Sequence, residues 1–322
     1  MEMMVAMSMA GIIGAAAIGA GMMLNRSMVD TRRRAVVWDE AKRVEEALLS
    51  KVQEAGGDPM ASFQSIFVED NCAADPTRLL PACAGADRIT IVSAKAGSPV
   101  CAVEVNGANL MGTESPCCIT GAMTGPAIFV RADGVAITLS LHSPNTSSCQ
   151  VGAPPGQGNP VPPALGGTGT KGHLALTTVE TLFPRLKGAG EYELIQWIDT
   201  GAPGNGRADG AELRLIADRI YDFQLALGYD GNPEDGEVLD ANSSTDEWIG
   251  NAEAVGASLP SPLVASQLRM IDIAVAVGTP AQMFTNQPVQ LLNRSAPINP
   301  TGIYLAATRG QVAFRNLNIS VP

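Results

Sequence analysis

The sequence is short of the residues that most enzymes and nucleic-acid binders need. Only two histidines occur in 322 residues, His142 and His173. With no His-x-x-x-His and no Cys-x-x-Cys pair, zinc sites and His-centred hydrolysis lack material. No Gly-x-Ser-x-Gly elbow and no phosphate-cradling Gly-x-x-x-x-Gly-Lys-Ser/Thr loop is present. Charged residues are only 16% of the chain and aromatics 4%. Basic residues number 21 against 32 acidic, a net charge of −11. That balance argues against a nucleic-acid groove, which must collect phosphate counter-charge, and against a basic lipid-surface patch. Catalysis is not expected.

Charge is missing altogether from Met3 to Asn25, a 23-residue run that also lacks proline. About 20 apolar residues at 1.5 Å each cross a bilayer core of about 30 Å, so the run reads as a membrane helix. A signal peptide fits less well, since Glu2 stands where such peptides carry Lys or Arg and the apolar stretch is about twice theirs. The helical signal continues past Arg26. Val37, Ala41, Val44, Leu48, Val52 and Ala55 recur at three- and four-residue intervals, with Asp39, Glu40, Lys42, Arg43, Glu45, Glu46 and Lys51 on the other face. Gly56-Gly57-Asp58-Pro59 then ends it. Residues 1–56 thus form one helix, apolar first and amphipathic later. Gly14, Gly19 and Gly21 weaken its first half by up to about 1 kcal/mol each relative to Ala, and residues 12–22 are expected to be non-helical or stretched once assembled.

Residues 57–149 change to a two-residue period and read as a disulfide-rich β region. Strands are predicted at 88–94, 99–105, 127–131 and 135–141, the last two joined by Ala132-Asp133-Gly134. All six cysteines fall here: Cys72, Cys83, Cys101, Cys117, Cys118 and Cys149. They suggest three disulfides in an oxidising compartment, stapling a loop-rich region, with 15 possible connectivities. A bridge between the neighbours Cys117 and Cys118 would be strained, so each is expected to pair elsewhere. Residues 150–172, rich in Pro and Gly, read as a surface loop or linker. Residues 173–322 form a C-terminal β-sheet region, with strands at 174–182, 192–198, 221–229, 268–277 and 311–321 and a short helical or irregular stretch at 211–220. The fold class is α+β: a long N-terminal helix packed on an antiparallel sheet body with large loops.

The acidic excess is local. Residues 191–247 contain fourteen carboxylates and three arginines, as large an imbalance as that of the whole chain. The loop from Asp230 to Glu247 has seven carboxylates and no base. Hard oxygen ligands on a Gly-containing turn suit calcium, with Asp230, Asn232, Asp235, Glu237 and Asp240 as candidate ligands, although the spacing is not that of an EF-hand. The alternative is a solvated acidic loop. No other cofactor is implied. The carboxylate pairs Asp235/Glu237 and Asp246/Glu247 lack an aromatic platform and any sign of a cleft.

Glu2 followed by MMVAMSMAGIIG resembles the N-terminal core of type IV pilins and pseudopilins. The later order IADRIYDFQLALGYDGNPEDGEV, DEW, QLRMIDIAVAVGT and GQVAFRNLNIS is similar to that of PilW-like pilins. The resemblance covers about residues 1–56 and 211–320. It implies a lollipop-shaped subunit cleaved by a prepilin peptidase, held in the inner membrane with the assembly machinery, then drawn into an extracellular helical filament with copies of itself and other pilins. Family register would place three more residues before Met1. The family's carboxylate, here Glu2, neutralises the terminal amine of a neighbouring subunit inside the apolar core. Two other roles fit the same residues: a minor pilin or type II secretion pseudopilin that primes assembly or caps the tip, and a membrane-anchored, calcium-dependent binding module.

Overall fold

The computed structural model describes residues 2–54, 66–69, 71–75, 79–83, 85–95, 99–132, 136–152, 166–188, 190–199, 212–229, 248–249, 268–280, 288–292, 294 and 296–313. Helix α1 spans Glu2–Glu54 without interruption, 53 residues. At 1.5 Å per residue it is about 80 Å long. Its second half buries the predicted stripe, Val37, Ala41, Val44, Leu48 and Val52. Its first half, through Met28, is almost wholly exposed in the single chain.

Thirteen strands among the described residues join one antiparallel system: β1 (Ile66–Glu69), β2 (Arg88–Ala94), β3 (Cys101–Asn106), β4 (Asn109–Gly112), β5 (Gly125–Arg131), β6 (Ala136–Asn145), β7 (Gln150–Gly152), β8 (Lys171–Gly188), β9 (Glu191–Asp199), β10 (Leu213–Tyr229), β11 (Trp248–Ile249), β12 (Leu268–Pro280) and β13 (Ile303–Ala313). The 18-residue β8 organises them. Its first part pairs with β3 (Leu174 opposite Cys101) and with β5 (Leu174 opposite Phe129). Its second part pairs with β2 (Leu182 opposite Ile89) and β9 (Leu182 opposite Gln196).

The order β8-β3-β4-β7-β6-β5 returns to β8, so six strands close into a small barrel. Closure removes free edges, and alternate side chains must then fill the interior. Cys101, Val103 and Val105 of β3 point inward, with Leu110, Phe129, Ile137, Leu139, Leu141, Val151 and Leu174 from the other five strands. Ile119 and Met123, from the segment between β4 and β5, complete this core. Gly172 is required inside it, because a Cβ there would overlap the Phe129 ring and the Val130 carbonyl. The other part of the system is an open sheet, β1-β2-β8-β9-β10-β12-β13, with β11 beside β10. Its inner face meets α1 in the main core, where Phe223, Leu225, Ile271, Ile273, Val275 and Val312 lie with the helix stripe.

Three disulfides, Cys72–Cys83, Cys101–Cys118 and Cys117–Cys149, use all six cysteines. Cys117 and Cys118 take different partners, as expected. Two bridges tie the β4–β5 connection to the barrel, through Cys101 on β3 and Cys149 beside β7.

Several local expectations are corrected. The stretch 211–220, expected to be helical or irregular, is the start of β10 from Leu213 onward, because ladder pairing with β9 outweighs a sequence whose alternation is broken by two bulges. The last described strand, β13, begins at Ile303, earlier than the expected start at 311, and residues 314–322 of that expectation lie outside those described. The β region expected at 57–149 carries β1 to β6, two strands more than were expected there. The Pro/Gly-rich segment begins as β7 and ends in β8, strands too short or too Gly-rich at those ends to show a period.

Leu48→Ala should destabilise the chain by about 2–5 kcal/mol, since the side chain is fully buried between helix and sheet. Urea unfolding of the full chain in detergent, followed by tryptophan fluorescence, measures this. Non-reducing peptide mass spectrometry should recover the 72–83, 101–118 and 117–149 cross-links. Cys117→Ser with Cys149→Ser should cost roughly 4 kcal/mol on the loop-entropy account for a bridge spanning 32 residues.

Candidate assembly helix and its collar

The first functional element is the apolar half of α1. Its apolar window has a mean hydropathy of 1.8 and none of it is buried within the chain, so it is long and apolar enough to cross a membrane. Met3, Met4, Met7, Ile12, Ile13, Ile18, Met22 and Met23 are each more than half exposed. Leaving eight such side chains in water would be costly, at about 1.5–3 kcal/mol each, so this surface demands lipid or another apolar helix around it. Glu2 begins the helix; its side chain lies outside the described residues. Gly14, Gly19 and Gly21 sit within the continuous helix with open space around each. In the single chain residues 12–22 are therefore helical, as their alanine-rich context offsets the glycine cost. The expected stretching concerned the assembled filament.

The second element is the collar that grips α1 where it meets the body. Trp38 donates its Nε1–H to the Tyr304 hydroxyl at 3.0 Å, and the Arg34 guanidinium lies 4.7 Å from the centroid of the same ring. Arg33 donates to the Pro280 carbonyl at 3.4 Å, and the Thr308 hydroxyl to the Ala41 carbonyl at 3.4 Å. Arg219 pairs with Glu40 at 2.7 Å, and Lys51 with Glu180 at 2.8 Å. Arg219 reaches α1 because it sits in a bulge of β10 with φ of 55°, a left-handed conformation that re-aims its side chain. Gly310 permits the close approach, since a Cβ there would meet the side chains of Glu45 and Leu49.

Behind the collar the sheet buries charge. The pattern of β10 predicts one polar face through Asp222 and Gln224, yet both are buried. Segment 85–87 and Arg294 cover that face. Arg294 pairs with Asp222 at 2.6 Å and donates to the Gly85 carbonyl at 3.1 Å. The Asp87 carboxylate accepts the Leu225 N–H at 2.8 Å. Asp272 on β12 is held by the Arg309 Nε–H at 2.6 Å. Burial pushes the Asp222 carboxyl above the usual carboxylate range, with Arg294 and the Gln224 amide opposing that rise.

The other candidate residues are not brought to the collar. The cysteines are consumed by the disulfides. Asp230, Asn232, Asp235, Glu237 and Asp240, the calcium candidates, lie outside the described residues. Among the described residues no cluster of three or more His, Cys, Asp or Glu could hold a metal. His142 and His173 lie apart from α1 on the barrel strands β6 and β8, His142 packing on Gly152. Sequence reasoning missed Glu40, Arg219, Tyr304 and Gly310 as a group. Only the placement of β10, β12 and β13 under the helix unites them.

Asp222 gives a pH signature. A carboxyl whose folded pKa is raised is bound to its proton more readily in the folded state, so its contribution is fullest below about pH 4 and is lost as pH rises through the folded value. The melting temperature of the unsubstituted chain minus that of Asp222→Asn should therefore fall as pH rises above about 4. Calorimetry at constant ionic strength measures it, and a flat difference contradicts the buried-carboxylate account.

No protein-family model matches the chain, no curated protein matches it, and no solved structure matches it. What its own described residues show is a pilin-like arrangement, a long helix with an unburied apolar N-terminal half carried on an antiparallel sheet.

Proposed function

We propose that this chain is a structural subunit of an extracellular type IV pilus-like filament, first held in the inner membrane and then polymerised through α1 with copies of itself. One observation carries the reading: about half of an uninterrupted 53-residue helix is apolar and left unburied by its own chain, while the other half is gripped by the body. Such a helix is satisfied in turn by a bilayer and by a bundle of its equals, which is what an extracted and polymerised subunit requires. The three disulfides favour an oxidising, extracytoplasmic site for the body. The resemblance of residues 2–14 supplies the role of Glu2, to neutralise the terminal amine of a neighbour within the helix bundle. Processing by a prepilin peptidase and delivery by inner-membrane assembly machinery belong to the same proposal.

Glu2→Ala and Glu2→Lys should leave the protein in the membrane and reduce its incorporation into filaments by at least about 100-fold, because a buried charge left unpaired costs about 3–5 kcal/mol. Negative-stain microscopy and immunoblotting of sheared surface filaments, beside a blot of the membrane fraction, read both quantities. Normal filaments from both variants would reject this role for Glu2. Absence of filaments from cells bearing the unsubstituted gene, with the protein retained in membranes, would favour the anchored binding module.

A further inference from the structure

The chain as a whole is acidic, yet the first charges after its apolar run are basic. Arg26, Arg32, Arg33 and Arg34 follow Asn25 with a single intervening carboxylate, Asp30, which is buried. Helical spacing places Val29, Arg32, Arg33 and Val36 on one face of α1. With Val37 they form one wall of an open cleft of about 410 Å³, and Arg219 and Thr279 of the body form the other. Three arginines from two elements therefore line a space whose remaining lining is largely valine. Two of them are oriented: Arg33 by the Pro280 carbonyl and Arg219 by Glu40. Arg32 is exposed and has no ion-pair partner among the described residues.

The position of this cleft is fixed by the helix. Seven residues separate Asn25 from Arg32, about 10 Å along the axis. The headgroup layer extends roughly 5–8 Å beyond the hydrocarbon core, and an arginine side chain reaches back several ångströms towards it. When the apolar half of α1 spans a bilayer, the cleft opens at the phosphates of the leaflet the helix leaves. We infer that it binds the phosphodiester headgroup of an anionic phospholipid of the phosphatidylglycerol class. The guanidiniums contact the phosphate oxygens through planar paired N–H groups, and the valines cover the glycerol carbons and the first acyl methylenes. The net charge of the chain argues against a basic lipid-facing patch. That sum is not local: the segment from Arg26 to Arg34 carries four arginines against one carboxylate, and screening over about 8–10 Å limits the reach of charges elsewhere. This inference rests on the membrane-spanning stage of the proposed function and does not require polymerisation.

The test uses the full chain in dodecyl maltoside with equal amounts of phosphatidylglycerol and phosphatidylcholine of matched acyl chains. Native mass spectrometry counts the lipid retained. Phosphatidylglycerol should be retained over phosphatidylcholine by at least about five-fold, the effect of one basic side chain near an anionic surface. Arg32→Gln with Arg33→Gln should bring the ratio close to one, Arg219→Gln should lower it, and Arg32→Lys with Arg33→Lys should keep only part of it, since an ammonium keeps the charge without the paired N–H groups. The disulfide map and circular dichroism of each variant confirm folding. Equal retention of the two lipids by the unsubstituted chain, or a preference unchanged in the double glutamine variant, overturns the inference. Displacement of phosphatidylglycerol by millimolar glycerol phosphate also overturns it, by assigning the cleft to a free phosphate ester. Alkaline carbonate extraction of membranes separates the two failures. A chain that stays in the pellet but shows no headgroup preference loses only this inference, whereas release from the membrane removes the spanning helix on which it rests.

Discussion

The contact between the second half of α1 and the open sheet is the constraint on which the molecule depends. Val37, Ala41, Val44, Leu48 and Val52 are almost completely buried against β10, β12 and β13. Burying a valine or leucine contributes about 1.5–3 kcal/mol, so this stripe is among the larger local terms in the fold. It also fixes the helix axis. A continuous helix gripped over residues 33–52 must project its first 25 or so residues away from the body, and those residues are the apolar ones. Anchoring one half therefore presents the other.

The body is built so that the grip is firm. β8 ties barrel and open sheet into one ladder, because its first part pairs with β3 and β5 and its second with β2 and β9. The barrel has no free edge to compete for pairing, and two disulfides hold its connecting segment. The hydrogen bonds and ion pairs of the collar orient more than they stabilise. Partly exposed pairs such as Glu40–Arg219 contribute at most about 1 kcal/mol, yet they set the rotation of α1 about its axis and hence which side chains face the cleft at the neck.

Buried charge adds a further limit. Asp222, Asp272 and Arg88 are wholly buried, and each is paired or hydrogen-bonded to the sheet or to a segment that covers it. Ion pairs of this kind gain little net stability over apolar side chains, because desolvation offsets attraction. They do specify register. Shifting β12 by one residue past β13 would remove Asp272 from Arg309 and Gln311 and leave a carboxylate alone in the core.

The sequence by itself determined the parts whose physics is local. An uncharged run of membrane length, the three-to-four-residue stripe from Val37 to Val52, and the even cysteine count confined to residues 72–149 led to the long helix, its buried face and three disulfides. Most strands were legible for the same reason, since half-buried ladders impose a two-residue period. Tertiary structure alone decided what depends on residues far apart in the chain. Closure of the barrel required β8 to pair on both edges, which no spacing encodes. The bulged start of β10 was hidden because its pairing with β9 survives a broken alternation. The burial of Asp222 and Gln224 followed from Arg294 and segment 85–87 folding across them. Arg219 meets Glu40 and Tyr304 meets Trp38 across 179 and 266 residues of sequence, and contacts at such separations leave no periodic trace in the chain.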